Sequence, residues 1–86
     1  PPATGHYITG IIPNSQASET DLRAGDIITH YNGVEVTPAQ PIQPLIANTP
    51  QDARVTLSVH RRGQLLQIAI KGGRIGIHGE VVEQKR

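Results

Sequence analysis

The chain has 86 residues, enough for one domain with a modest core; 36% are hydrophobic, 17% are charged, and the formal net charge is +1. That balance supplies no long-range field to gather nucleic acid or coat an anionic membrane, and two Tyr as the only aromatics leave no base-stacking platform. Without Cys there is no disulfide framework and no thiolate metal site, and without Phe, Trp or Met the core falls to Ile, Leu, Val and Ala.

Residues 1–6 (PPATGH) read as a leading linker, and Pro1 in place of an initiating Met suggests a piece of a longer chain. The apolar run at 7–12 (YITGII) predicts a strand, closed by the turn signal Pro13-Asn14-Ser15. QASETDL at 16–22 predicts a short helix, with Ser18 and Asp21 at capping-box spacing and Gly25 as its stop. DIITHYNG (26–33) predicts a strand that turns at Asn32-Gly33, and VEV (34–36) a brief continuation.

A second helical region is expected between Thr37 and Asn48. Thr37 is placed to cap it, and Ile42, Leu45 and Ile46 share a face at i, i+3, i+4 spacing. Pro41 and Pro44 each lack an N–H, so the expectation is one turn, a break, and a short helix starting near Pro44. RVTLSVH (54–60) and QLLQIAI (64–70) alternate apolar and polar residues about a turn at Arg61-Arg62-Gly63, which predicts a hairpin. A last strand, RIGIHGEVV, is expected after Lys71-Gly72-Gly73, followed by a polar tail. No apolar run approaches the ~20 residues that a helix needs to cross a bilayer.

The most informative block is LRAGDIITHYNGVEV, with Leu22, Gly25-Asp26, Ile28 and Asn32-Gly33 as its skeleton. Leu22 seals a short helix onto the core, Gly25 ends it, Asp26 satisfies loose N–H groups at the turn, and Ile28 points inward. With the preceding IIPNSQAS, this block resembles a PDZ domain of the bacterial, circularly permuted type, as found in HtrA-type serine proteases, site-2 metalloproteases and C-terminal processing proteases. The resemblance covers roughly residues 7–79, with 1–6 as linker and 80–86 as C-terminal tail. It implies a mostly β fold with two short helices, a partly open barrel or sandwich of five to six strands in permuted order.

The resemblance also implies a function. PDZ domains grip the C-terminal end of a partner peptide with an x-Φ-Gly-Φ loop (Φ apolar), and Arg74-Ile75-Gly76-Ile77 has that pattern. Backbone N–H groups there would converge on a terminal carboxylate, aided by Arg74, while Ile75 and Ile77 line a pocket for the last side chain. The strand from Ile77 would pair with the ligand, making Gly73, His78 and Gly79 part of the site. The opposite wall would be the helical region, through Ile42, Gln43 and Ile46. The family's helix-start position falls near Ala39 or Gln40; neither is His, so an apolar preference two residues before the ligand's end is expected. Gly76→Val is expected to remove binding and spare the fold. An alternative takes RIGI as an edge strand only, with the loop lost upstream; Thr4-Gly5-His6-Tyr7 offers no match to the pattern.

Other chemistries find little support. The glycines of KGGRIG lead into a strand rather than a helix, unlike a phosphate loop. His6, His30, His60 and His78 have no metal-ligand spacing, and Ser15, Ser18 and Ser58 have no nucleophile-elbow context. The expectation is a non-catalytic domain without cofactor, whose partner is a polypeptide C-terminus or an extended apolar peptide. It would serve a larger chain, such as a protease, that for a bacterial source belongs to the cell envelope or periplasm. The other reading is a structural or assembly domain that packs against its parent chain or a secretion partner.

Overall fold

The alternation of Val55, Leu57 and Val59 with polar neighbours lays down the centre of the sheet. In the computed structural model, which describes residues 4–83, these three are fully buried on β4 (Arg54–Arg61). They pair in register with β5 (Gln64–Lys71), where Ile68 and Ile70 complete the inward face. The hairpin turn is tighter than expected. Arg61 still belongs to β4, and only Arg62 and Gly63 turn, both at positive φ, as a two-residue primed turn requires.

β2 (Ile27–Tyr31) pairs with β4, and Asn32-Gly33 turns back at positive φ into β3 (Val34–Glu35), which folds onto β2. β1 (Thr4–Ile11) joins the other side of β2, and β6 (Ile77–Glu83) joins β1, giving the antiparallel order β5-β4-β2-β1-β6 with β3 off the path. The last strand thus lies beside the first, the permuted order that the resemblance implies. Both ends of the sheet exceed the expected bounds: β1 starts inside the segment read as linker, and β6 runs into the segment read as tail.

The first helical segment is shorter than the sequence suggests, and the second starts slightly earlier. In place of a helix over 16–22 there is one 3₁₀ turn, η1 (Ala17–Glu19). The capping exchange joins Ser15 and Ser18, whose N–H groups donate to each other's Oγ at 3.0 and 3.3 Å. Asp21 instead faces Arg61 and Arg23. The helix α1 (Ile42–Ala47) starts at Ile42, two residues before Pro44. Pro41 is its N-cap and Pro44 its third residue, where the missing N–H has no intrahelical partner to lose. Thr37 does cap a turn: the Gln40 N–H donates to its Oγ1 at 2.9 Å, ahead of the break at Pro41.

Leu22, Ile28, Tyr31, Val36, Ile42 and Ile75 close the core around Ile8. The Gly25-Asp26 corner is held by charge. Asp26, 1% exposed, accepts the Arg23 N–H at 3.0 Å and a two-pronged contact from Arg61 Nε and Nη2 at 2.8 and 2.9 Å. The same guanidinium reaches the Asp21 carbonyl and carboxylate, so hydrogen bonds from Arg61 and then Arg23 hold the Asp21 carboxyl below its usual pKa. Arg61 is therefore a strut of the fold rather than a turn residue.

Candidate functional site

Residues 74–76, expected to open the last strand, form a loop ahead of β6, and a three-residue run of its carbonyls is drawn into the protein body. The Arg74 carbonyl accepts from Gln16 Nε2 at 3.2 Å, the Ile75 carbonyl from the Ala17 N–H at 2.7 Å, and the Gly76 carbonyl from the Ile12 N–H at 2.9 Å. In a trans peptide the C=O and the following N–H point in opposite directions. The N–H groups of Ile75, Gly76 and Ile77 therefore all point away from the body. Those of Ile75 and Gly76 meet no acceptor among the described residues. Gln16 also ties the start of the loop, donating to the Lys71 carbonyl at 3.0 Å and accepting the Lys71 N–H at 2.7 Å.

These N–H groups open on a cleft of about 320 Å³ between β6 and α1. Ile42, Gln43 and Ile46 form the helix wall; Arg74, Ile75 and Gly76 form the closed end; Ile77 and Gly79 form the strand wall. Eight of the ten residues expected from the sequence are thus brought together. Ile75 is 2% exposed and belongs to the core, so it floors the cleft rather than walling a side pocket. Gly73 lies on the far side of the loop, facing Gln51, and the exposed His78 packs towards Gly10; neither lines the cleft. Pro41 and Pro44 stay outside the cleft lining and leave it open.

Two glycines are obligatory. Gly76 has φ +88°, and a Cβ there would collide with Cβ and Oγ of Ser15. Gly79 lies against the Tyr7 carbonyl, and a Cβ on it would stand 2.8 Å from His6 Nε2. The side-chain-free strand wall at Gly79 opens the cleft down to His6.

Sequence reasoning missed His6 and Ile12 as lining residues, and Gln16 as the loop's tether. His6 is 3% exposed, its Nδ1 has no hydrogen-bond partner among the described residues, and burial pushes the imidazole below its usual pKa. Gln16 and His6 carried no local signal, because the residues that they meet are distant in the chain. Arg74 is exposed and makes no ion pair among the described residues.

Among the described residues β6 is the last strand in the sheet order, so one of its edges has no strand partner there. The Ile8 backbone exchanges bonds with Asp26 and Gly25 on the β2 side, which turns the Tyr7 backbone towards β6. Alternation then sends the backbone groups of Ile77, Gly79 and Val81 to the open edge. Chemically, the site offers a small cluster of outward N–H donors fit for an anion, an unpaired strand edge, and an apolar floor.

The family follows from the residues that build this frame. Residues 7–61, from β1 through β4 and including α1, match the PDZ domain family. The chain is a PDZ domain. The match stops short of the 74–76 loop and β6, which join the fold through the pairing of β6 with β1. The chain is similar to the serine endoprotease DegS of Haemophilus influenzae (35% identity over 66 residues, 77% of this chain and 19% of that protein). It is also similar to the magnetosome formation protease MamE of Magnetospirillum gryphiswaldense (28% over 83 residues, 96% and 11%). A third relative is the periplasmic serine endoprotease DegP of Escherichia coli K12 (25% over 67 residues, 78% and 14%). The chain therefore spans less than a fifth of the length of each of these relatives. PDZ domains are protein-interaction modules, and in such proteases they are accessory and non-catalytic.

Proposed function

We propose that this PDZ domain grips the free C-terminus of a polypeptide in the β6–α1 cleft, the ligand adding as a strand to the open edge of β6. The observation that carries this is the consumption of the Arg74, Ile75 and Gly76 carbonyls by the body of the domain, which leaves the next three N–H groups facing the cleft. A terminal carboxylate is the peptide group best suited to accept several N–H bonds at one point, and Arg74 adds positive charge beside it. Ile12, Ile42, Ile46 and Ile77 suit an apolar last side chain.

A ligand of four or five residues buries little surface, so the affinity is expected to be micromolar, about −7 to −8 kcal/mol. The role would be substrate recognition or regulation within a larger chain, with the similarity to bacterial proteases favouring a protease as the catalytic part. The test is a ¹⁵N NMR titration with a short peptide ending in an apolar residue, with a free and then an amidated C-terminus. The free form is expected to shift Ile75, Gly76, Ile77 and residues 42–46, and amidation to abolish the effect. Equal shifts from both forms would overturn the carboxylate reading, and no shifts from either would favour a domain that packs against its parent chain.

A further inference from the structure

We infer that His6 is a specificity-determining residue of the groove, donating a hydrogen bond from Nε2 to an acceptor-bearing side chain two residues before the ligand's C-terminal residue. The inference rests on the strand-addition reading above.

The argument starts from what surrounds the ring. His6 sits on the inner face of β1, paired with Ile28 on one side and Val81 on the other. Only 3% of the residue is exposed, yet it lines the cleft, because Gly79 places no side chain over it. Its Nε2 lies 2.8 Å from the position a Gly79 Cβ would take. Nδ1 is sealed away from solvent with no partner among the described residues. A buried N–H without an acceptor is costlier than a bare lone pair, so the proton of the neutral ring belongs on Nε2. That places one donor beneath a cleft whose other walls are mostly isoleucine.

Strand geometry says which ligand residue meets it. With the terminal carboxylate at the Ile75 and Gly76 N–H groups, the last residue lies opposite Ile77 and the residue two before it opposite Gly79. Directly opposed residues of an antiparallel pair project to the same face. The side chain opposite Gly79 therefore projects over the gap that exposes His6. An aliphatic side chain there leaves Nε2–H desolvated and unpaired, whereas a hydroxyl, carboxamide or carboxylate accepts from it. Among the described residues, Arg74 is the charged group on the cleft lining and no carboxylate lines the cleft to compete. The preference expected at this position thus changes from apolar to polar, through a histidine on the strand side of the groove.

The test uses free-ended peptides identical except for Val, Thr or Gln two residues before the end, measured by fluorescence anisotropy on the wild-type domain and on His6→Leu. Wild type is expected to bind the Gln or Thr peptide at least fivefold tighter than the Val peptide, and His6→Leu to lose or reverse that order. Binding of every peptide with the same order in both proteins overturns the role of His6 and leaves the groove reading standing. Failure of all free-ended peptides to bind the wild type overturns both. A second readout needs no variant: the His6 ¹⁵Nε2 resonance of the wild type should move downfield with the Gln peptide and not with the Val peptide. An identical response to the two refutes the inference even where His6→Leu does not fold.

Discussion

Replacing Gln16 by Ala tests whether the loop's orientation, and not merely its sequence, makes the site. The Gln16 side chain makes three hydrogen bonds, to the Lys71 N–H and to the carbonyls of Lys71 and Arg74, at 2.7, 3.0 and 3.2 Å. A partly exposed hydrogen bond contributes about 0.5–1.5 kcal/mol net, so three of them at about 0.7 kcal/mol each hold the loop by about 2 kcal/mol. If the released loop frays, that free energy reappears as a lower fraction of binding-competent protein, with a ceiling of about 30-fold in apparent affinity. The Ala17–Ile75 and Ile12–Gly76 backbone bonds remain, so the expected loss is about tenfold, below that ceiling. Anisotropy with a free-ended apolar peptide measures the affinity, and urea unfolding run in parallel separates it from global stability. Hydrogen exchange should quicken at the Lys71, Ala17 and Ile12 amides, which donate to Gln16 Oε1 and to the Ile75 and Gly76 carbonyls. An affinity within twofold of wild type and unchanged exchange would refute the idea that drawing the carbonyls inward is what aims the N–H groups.

Gly76→Ala forces a Cβ into Ser15 at φ +88°. The dihedral alone costs roughly 1–2 kcal/mol and the collision adds to it, so urea unfolding should show a loss above 2 kcal/mol, together with at least tenfold weaker peptide binding. This corrects the expectation that a side chain here would spare the fold. At the Asp26–Arg61 corner, Arg61→Ala is expected to destabilise more than the double change with Asp26→Ala, because the single variant strands a carboxylate that is 1% exposed; a double-mutant cycle in urea checks the order. Burial lowers the His6 pKa in the folded state, so between the unfolded value near 6.5 and the lower folded one the unfolded chain binds more protons. Stability is therefore fully present above about pH 6.5 and falls on acidification through that window, by at most about 1.4 kcal/mol per pH unit. His6→Leu should remove that part of the pH dependence in thermal melts at pH 7.5 and 5.5, and an unchanged slope would contradict it.

Much of the fold is legible in the chain because its signals are local. Alternation at 54–60 and 64–70 specifies the central hairpin, since period-two patterning has only one way to bury Val55, Leu57 and Val59 together. Asn32-Gly33 and the Leu22, Gly25-Asp26, Ile28 spacing mark turns whose backbone needs few other residues can meet. The two helical segments read less well. A 3₁₀ turn and a six-residue helix bury too few side chains for periodicity to show, and the Ser15–Ser18 exchange competes with the Ser18–Asp21 spacing on equal local terms.

The site divides along the same physical line. The x-Φ-Gly-Φ pattern at 74–77 and the apolar face of Ile42 and Ile46 are visible in sequence, because one depends on glycine's freedom at positive φ and the other on helical spacing. Tertiary structure alone decided the rest. It placed Ile75 in the core, tied the loop carbonyls to Gln16, Ala17 and Ile12, and made Arg61 the partner of a buried Asp26. It also set His6 beneath Gly79, by pairing the first strand with the last. Each of these contacts joins residues tens of positions apart, where no local propensity reaches and only sheet register brings the groups together.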